Sequence, residues 1–437
     1  MGKKYDVIII GAGPAGLMTA KTAAERDLKV LVFDKKKNIS RIKRTCSAAF
    51  YFESNYMGET TQFEDNKLIF KNNGFTVDFS GSYWPIKEKY GFSPRGNKWH
   101  MVRFANEDYT RDTPLSVVLD KEALLAGLLA EAKNLGVTVM NAAQGRKIEN
   151  TARGVEVEIY EDGRYARFEG AKAIVADGTN SKMVESMGLN KNRKVLGSRA
   201  MFVEYVMEGV ENPFSHAVLN FYGKKIRELG SVHVWPNAKG FTRVLGFNNL
   251  TFRADFQYPE KAVQYFITES PYATWFKKAK VIEKTGGSLL PRAAIREPFA
   301  ENILVIGDAA ALIEVENQGA LMCGFKAGNA VYDELNGLAG YKNYVEWWKH
   351  SFEFNNPELL KGMAVIPTLK VGEYSDEDID YLFSLIDGQD LYGTCSQYRS
   401  GKAVWEAILQ HRDTIAKEKP VLYEKVQKVM DLISGQL

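Results

Sequence analysis

Residues Tyr5–Asp34, reading YDVIIIGAGPAGLMTAKTAAERDLKVLVFD, constrain the fold of this chain more than any other stretch, because they spell a complete strand–turn–helix–strand unit. Val7–Ile10 is a short β-branched run, Gly11-Ala12-Gly13-Pro14-Ala15-Gly16 follows at once, Leu17–Arg26 suits a helix, and Lys29–Phe33 is a second apolar strand closing on Asp34. In that setting each glycine has a task. Gly11 permits the tight turn out of the strand, Gly13 lets backbone approach a pyrophosphate, and Gly16 allows close helix–strand packing. The helix N-terminus offers free N–H groups and the positive end of its dipole to phosphates. Asp34 is placed to hold ribose hydroxyls. The unit reads as an adenine dinucleotide site without specifying which dinucleotide.

A chain of 437 residues exceeds what one core usually carries, so two domains or more are expected. The formal charge of +3 points neither to nucleic acid nor to general attraction toward anionic membranes. The basic run through Lys35, Lys36, Lys37, Arg41, Lys43 and Arg44 fits a solvated loop, a place near phosphates, or a docking patch for an acidic redox partner. No stretch of about 18 apolar residues occurs, and the chain opens on a strand instead of a charged leader, so a cytoplasmic protein is expected. Cys46, Cys323 and Cys395 make no disulfide framework and suit a reducing compartment. The five histidines lack metal-ligand spacing, and no metal site is expected.

After Asp34 the sequence turns polar, then aromatic and irregular from Phe50 to about Tyr109, as expected of short strands and loops inserted into the dinucleotide fold. Leu119–Leu135 has helical periodicity, with Asp120 as N-cap and Gly136 as its end. Val137–Met140, Val155–Tyr160 and Arg164–Glu169 read as strands, the last two joined at Asp162-Gly163. A further strand, Ala173–Val175, runs into Asp177-Gly178. From Arg199 to Phe252 alternation suggests a mostly antiparallel second sheet, in which His233 and Trp235 share one face and Val232 and Val234 the other. A helix over 259–278, a strand Ile303–Ile306 ending at Gly307-Asp308, a helix from Gly319 to Asn336, and a helical region over 341–437 complete the pattern.

Three motifs now stand in order: GAGPAG at 11–16, VADGTNS at 175–181 and ILVIGDAA at 303–310. Together they resemble flavoproteins of the para-hydroxybenzoate hydroxylase type. SVHVWPNAKG and GGSLLPRAAIREPFAENILVIGDAA resemble the geranylgeranyl reductase branch, whose members reduce isolated double bonds of isoprenoid lipids. The resemblance implies an α/β fold: a Rossmann-like FAD-binding domain (1–50, 110–198, 285–340), an antiparallel-sheet substrate domain (51–109, 199–284) and a helical C-terminal cap (341–437). It implies FAD held by Gly11, Gly13, Ala15, Gly16, Asp34, Lys35, Asp177, Gly307, Asp308, Gly319 and Ala320, with the helix from Gly319 aimed at the pyrimidine edge of the flavin.

Departures from the branch matter as well. Its aromatic-x-Trp-x-Phe-Pro pattern is replaced by Ser231, His233 and Trp235 before Pro236, and the loop after Asp308 carries Glu314 and Glu316. The arginine the branch places shortly before Asp120 is absent, with Arg103 or Arg111 as replacements. Reduction of an alkene needs a hydride and a proton, so an acid opposite the flavin is expected. The candidates are Cys46, in a loop where Arg41 and Arg44 can tune its thiol, His233, and Glu316 with Glu314. Each also fits a plain structural role. Trp235 and Tyr222 are candidate substrate contacts, and Cys323 reads as packing. With one dinucleotide fingerprint in the chain, the electron donor is NADPH, NADH or a protein such as ferredoxin. The expected function is reduction of a carbon–carbon double bond in an isoprenoid or lipid-like substrate. A hydroxylase and a flavin electron-transfer protein remain open, the latter with the apolar face of 417–437 lying on a membrane or partner.

Overall fold

The computed structural model describes residues 5–104, 113–248, 259–357, 360 and 374–434. Its first layer is a sheet in which Thr138–Met140, Val30–Phe33, Tyr5–Ile10 and Arg164–Val175 lie side by side and parallel. Val7, Ile8 and Ile9 are completely buried, as an unbroken apolar run in a parallel strand should be when both faces of the sheet are covered. The helix Pro14–Ala24 covers it and packs against the long helix Glu316–Leu335. Their approach depends on glycine: a Cβ at Gly324 would stand 2.4 Å from the Ala15 carbonyl oxygen, and one at Gly328 2.6 Å from Thr22 Cβ.

Arg164–Glu169 and Ala173–Val175, expected as separate strands, are one strand of 12 residues, Arg164–Val175. Its first half pairs antiparallel with Gly154–Glu161, and its second half runs parallel between Tyr5–Ile10 and Ile303–Val305. The small residues Gly170 and Ala171 at the crossover let it change partners without a break.

The second large sheet also has eight strands, in the order Lys280–Leu289, Ala200–Glu208, Thr242–Phe247, Ser231–Pro236, Ala217–Phe221, Glu88–Phe92, Lys98–Phe104 and Asp390–Gly393. Both inserted segments therefore build one sheet. Its last strand comes from the C-terminal region, which is not purely helical as the sequence suggested. Tyr83–Ile86, Ser116–Leu119 and Ala49–Tyr51 form a small antiparallel sheet, and Thr61–Glu64, Lys67–Phe70 and Phe75–Asp78 form a meander.

Asp120 caps its helix as expected, its Oδ1 accepting the Glu122 and Ala123 N–H groups at 3.1 Å. Two helices begin or end elsewhere than expected. The one from Pro259 stops at Thr268, because Ser270 precedes Pro271 and such a residue disfavours helix; a 3-10 turn, Ala273–Phe276, follows. The long helix starts at Glu316, three residues before Gly319, once Val315 N–H is captured by Asp308 Oδ1 at 2.9 Å. In the helix Pro420–Ser434, Leu422, Val426 and Val429 are buried against Phe383, Trp405 and Ile408, while Val421 is 71% exposed. The apolar face proposed for a membrane is therefore packed inside the protein. No helix among the described residues is long and apolar enough to cross a membrane.

Candidate active site

The glycine turn is built around Asp34, only 9% exposed, whose Oδ2 accepts the Ala12 N–H at 2.8 Å and whose Oδ1 accepts the Lys36 N–H at 2.8 Å. Gly11 has φ 103°, and a Cβ there would stand 2.4 Å from the Ala176 carbonyl oxygen; one at Gly16 would stand 1.9 Å from the Gly11 oxygen. Above Gly13 the space is open. Of the sequence-predicted residues, Gly11 and Gly16 thus meet the Ala176-Asp177 turn, Gly13 faces open space, and Gly307, at φ 63°, closes on Ala15. A buried oxygen of Asp177 has no hydrogen-bond partner, and burial pushes that carboxyl up despite its bond from Ser181. An open crest over Gly13, an unsatisfied acceptor beside it and a left-handed glycine at Gly307 are what a dinucleotide would fill. The residues fit FAD. Gly16→Ala is expected to cost about 1–3 kcal/mol in urea unfolding and to yield protein purified without its yellow colour.

Asp308 Oδ2 lies 3.5 Å from the Arg44 guanidinium, so the basic run is partly committed to the site: Arg44 to Asp308, Arg41 to Glu122 at 3.1 Å, and Lys36 to the Ile39 carbonyl. Lys35 is exposed. Arg193 ties the Gly307 loop down through the carbonyls of Ala293 and Ala311, each at 2.8 Å. Gly319 and Ala320 do not begin a helix. They are buried in the first turns of Glu316–Leu335, where a Gly319 Cβ would stand 2.7 Å from the Phe352 ring, so Gly319 serves helix packing. Arg103 lies against Tyr392, 5.0 Å from its ring centroid, and Arg111 falls outside the described residues.

A cavity of about 300 Å³ opens beside this loop. His233, Trp235, Tyr222 and Glu316 all line it, so four of the sequence candidates converge. His233 and Trp235 share its wall while Val232 and Val234 are buried on the opposite face of the strand, as alternation required. Ile86, Val118, Val218, Leu245, Val404 and Trp405 make most of the remainder apolar. Burial, then the neighbouring charge of Glu314, raises the Glu316 carboxyl well above its usual range. Burial and the charge of Asp308 raise Glu314 likewise. The Tyr56 hydroxyl donates to Glu316 Oε1 at 3.1 Å, and the Glu316 backbone sits at φ 58°, a costly conformation for a side-chain-bearing residue. Burial thus favours the protonated forms of both carboxyls.

Cys46 does not line this cavity; Ser47 does. Its thiol lies 3.1 Å from Lys121 Nζ and 4.0 Å from Asn317 Nδ2. Burial pushes the thiol up, but the charges of Lys121 and Arg44 outweigh it and hold Cys46 below its ordinary value. Lys121→Met is therefore expected to move the pH midpoint of Cys46 alkylation by iodoacetamide upward and to slow it at neutral pH. An unshifted profile would exclude Lys121 as the cause. Cys323 is fully buried and pushed up to about 12, in keeping with a packing role.

Sequence reasoning missed several residues. Arg243 donates to the carbonyls of Cys46 and of Ser47, the latter at 2.9 Å, and pairs with Glu204 at 2.6 Å, both side chains buried. A lone arginine within the apolar strand Thr242–Phe247 was its signal. Lys121 had no such signal, since it reads as an ordinary first-turn helix residue. From the C-terminal region, Cys395, Gln397, Ser400 and Trp405 reach the cavity. They are fastened by buried Glu53, which accepts from Thr394 Oγ1 at 2.7 Å and from the Cys395 N–H at 3.1 Å. Among the described residues no cluster of three metal-ligating side chains occurs.

Comparisons with known proteins agree with this architecture. Residues 5–196 match the family model described as pyridine nucleotide-disulphide oxidoreductase. Two curated relatives are named digeranylgeranylglycerophospholipid reductases. That of Methanosphaera stadtmanae is 24% identical, covering 89% of this chain and 90% of its own length, and that of Methanocaldococcus jannaschii is 26% identical, covering 89% and 93%. Among solved structures, a geranylgeranyl bacteriochlorophyll reductase-like protein of Thermoplasma acidophilum shares the fold with a TM-score of 0.70 at 18% identity, over 98% of this chain and 99% of the other. The flavin-dependent brominase Bmp2 shares it at 0.61 and 15%, over 94% and 100%. A glycine turn shaped for a dinucleotide, a cavity beside its Gly-Asp loop, and likeness over nearly nine-tenths of the chain lead to one conclusion: the protein is an FAD-dependent oxidoreductase, similar in sequence to digeranylgeranylglycerophospholipid reductases and in fold to a geranylgeranyl reductase-like protein.

Proposed function

We propose that this protein reduces a carbon–carbon double bond in an isoprenoid or lipid-like substrate held in the cavity beside the Gly307–Gly319 loop. The observation that carries the reading is a buried carboxyl, Glu316, raised well above its usual range on the wall of a mainly apolar cavity. Bound FAD would supply the hydride; the chain must supply the proton and exclude water. Burial favours the protonated form of Glu316, and Tyr56 fixes the direction of its carboxyl. Trp235, Tyr222 and the aliphatic wall orient the alkene. His233 shares that wall and is a second proton source. Cys46, with a depressed pKa and set behind Ser47, is a reserve acid that Lys121 would reprotonate.

Gly11, Gly13, Ala15, Gly16, Asp34, Asp177, Gly307 and Asp308 would hold the cofactor. Lys35 is a candidate for its outer phosphate edge, and Gly319 and Ala320 support it only through the helix. Segments 1–50, 110–198 and 285–340 would form the cofactor-binding domain, 51–109 and 199–284 the substrate domain, and 341–437 the cap. Electrons would come from NADPH, NADH or ferredoxin. The names of the relatives support a lipid substrate, and digeranylgeranylglycerophospholipid is the first compound to test. Anaerobic incubation of the reduced holoprotein with this lipid should yield a product heavier by one hydrogen molecule per bond. A product heavier by an oxygen atom when air is admitted would replace this reading with a hydroxylase.

A further inference from the structure

The cavity carries donors that no described residue satisfies. Lys89, in the strand Glu88–Phe92, lines it, and its side chain makes no hydrogen bond or salt bridge with any described residue. The indole N–H of Trp235, a residue 7% exposed, has no acceptor, and the amide nitrogen of Gln397 has none. All three line the same cavity. Glu314 and Glu316 line the same cavity but accept from none of these donors, and burial favours their protonated forms. A buried donor without a partner is costly, and two in one cavity beside the Lys89 ammonium call for an acceptor from outside.

We propose that Lys89, Trp235 and Gln397 receive the carboxylate of an amphipathic, singly charged substrate whose apolar chain lies along Ile86, Val118, Val218, Leu245 and Val404. This rests on the reading of the cavity as the substrate site and narrows its ligand class. Charge decides between carboxylate and phosphate. Lys89 brings one positive charge, so a doubly charged phosphate would remain half compensated in a desolvated site. Size agrees: about 300 Å³ lies at the small end of ligand cavities, which run from roughly 300 to 1,000 Å³, and suits a single apolar chain within it. Burial pulls the Lys89 ammonium down, with Cys395 and Glu316 offsetting it only in part, so an added anion would be welcome there.

Calorimetric titration of the full-length holoprotein with decanoate, decanol and decyl phosphate tests this. Decanoate should bind about tenfold or more tightly than decanol. Lys89→Met should erase that preference while leaving decanol binding unchanged, and Lys89→Arg should keep most of it. Equal binding of decanoate and decanol, or a preference that survives Lys89→Met, overturns the carboxylate site but leaves the apolar cavity as a substrate site. Tighter binding of decyl phosphate than of decanoate overturns the charge argument. No binding of any of the three removes the cavity reading itself, and the proposal with it.

Discussion

Glu316→Gln is expected to lower kcat for alkene reduction by about a hundredfold to ten-thousandfold with little change in KM, because glutamine keeps the shape and the Tyr56 hydrogen bond but has no proton to give. The wild-type rate should fall on the alkaline side as Glu316 loses its proton, and that limb should vanish in the variant. Stability supplies an independent reading. Burial raises the folded-state carboxyl, so the folded chain holds this proton more tightly than the unfolded chain does. Its contribution is full below the ordinary carboxyl value of 4.5 and is lost as pH rises through the folded pKa. Glu316→Gln should therefore lose less stability than wild type between acidic and alkaline pH. A variant that keeps more than about a tenth of wild-type kcat would move the proton donor to His233 or Cys46.

Arg243→Met should be the most destabilising single change near the site, at about 3–5 kcal/mol in urea unfolding. The methionine stem fills similar space, but Glu204 is left buried without its 2.6 Å partner, and the Cys46 and Ser47 carbonyls lose their donor. Adding Glu204→Gln should recover most of the loss, because the uncompensated charge goes with it. The thiol should respond separately: with the Cys46 backbone released, the 3.1 Å contact to Lys121 loosens and alkylation at neutral pH slows in both variants. Recovery of stability without recovery of thiol reactivity would separate the charge effect from the positioning effect. Failure of the double variant to recover would mean that the carbonyl contacts carry the stability.

The glycine turn, the capped helix after Asp120 and the two faces of the His233 strand were legible in the sequence because each depends on local rules: left-handed backbone, an N-cap oxygen, a period of two. The start of the long helix was not. Gly319 looked like a boundary residue, whereas the boundary is set by Asp308 accepting from Val315, a contact seven residues apart that no local pattern announces. Cys46 illustrates a different failure. Its loop and its basic neighbours were visible, but the group that acts on it, Lys121, is 75 residues away in sequence, and the cavity wall beside it belongs to Ser47. Lys89 escaped notice because a lysine among aromatics in a short strand resembles any edge-strand charge. The C-terminal wall was hidden for a simpler reason: helical periodicity over 341–437 masked the strand Asp390–Gly393, which takes its place through parallel pairing with Lys98–Phe104.

The strand Arg164–Val175 has a consequence for how the protein is made. Its neighbours in the parallel sheet leave the ribosome at opposite ends of synthesis: Tyr5–Ile10 first, and Ile303–Val305 some three hundred residues later. Until then its second half has one exposed hydrogen-bonding edge, and the helix Glu316–Leu335 that covers Pro14–Ala24 does not yet exist. A nascent chain can thus form the glycine turn early yet cannot enclose a flavin, and its open apolar edge awaits either the late strand or a chaperone. Cofactor capture becomes a late step of biosynthesis, and premature termination anywhere before about residue 335 should give insoluble, colourless protein instead of a smaller flavoprotein.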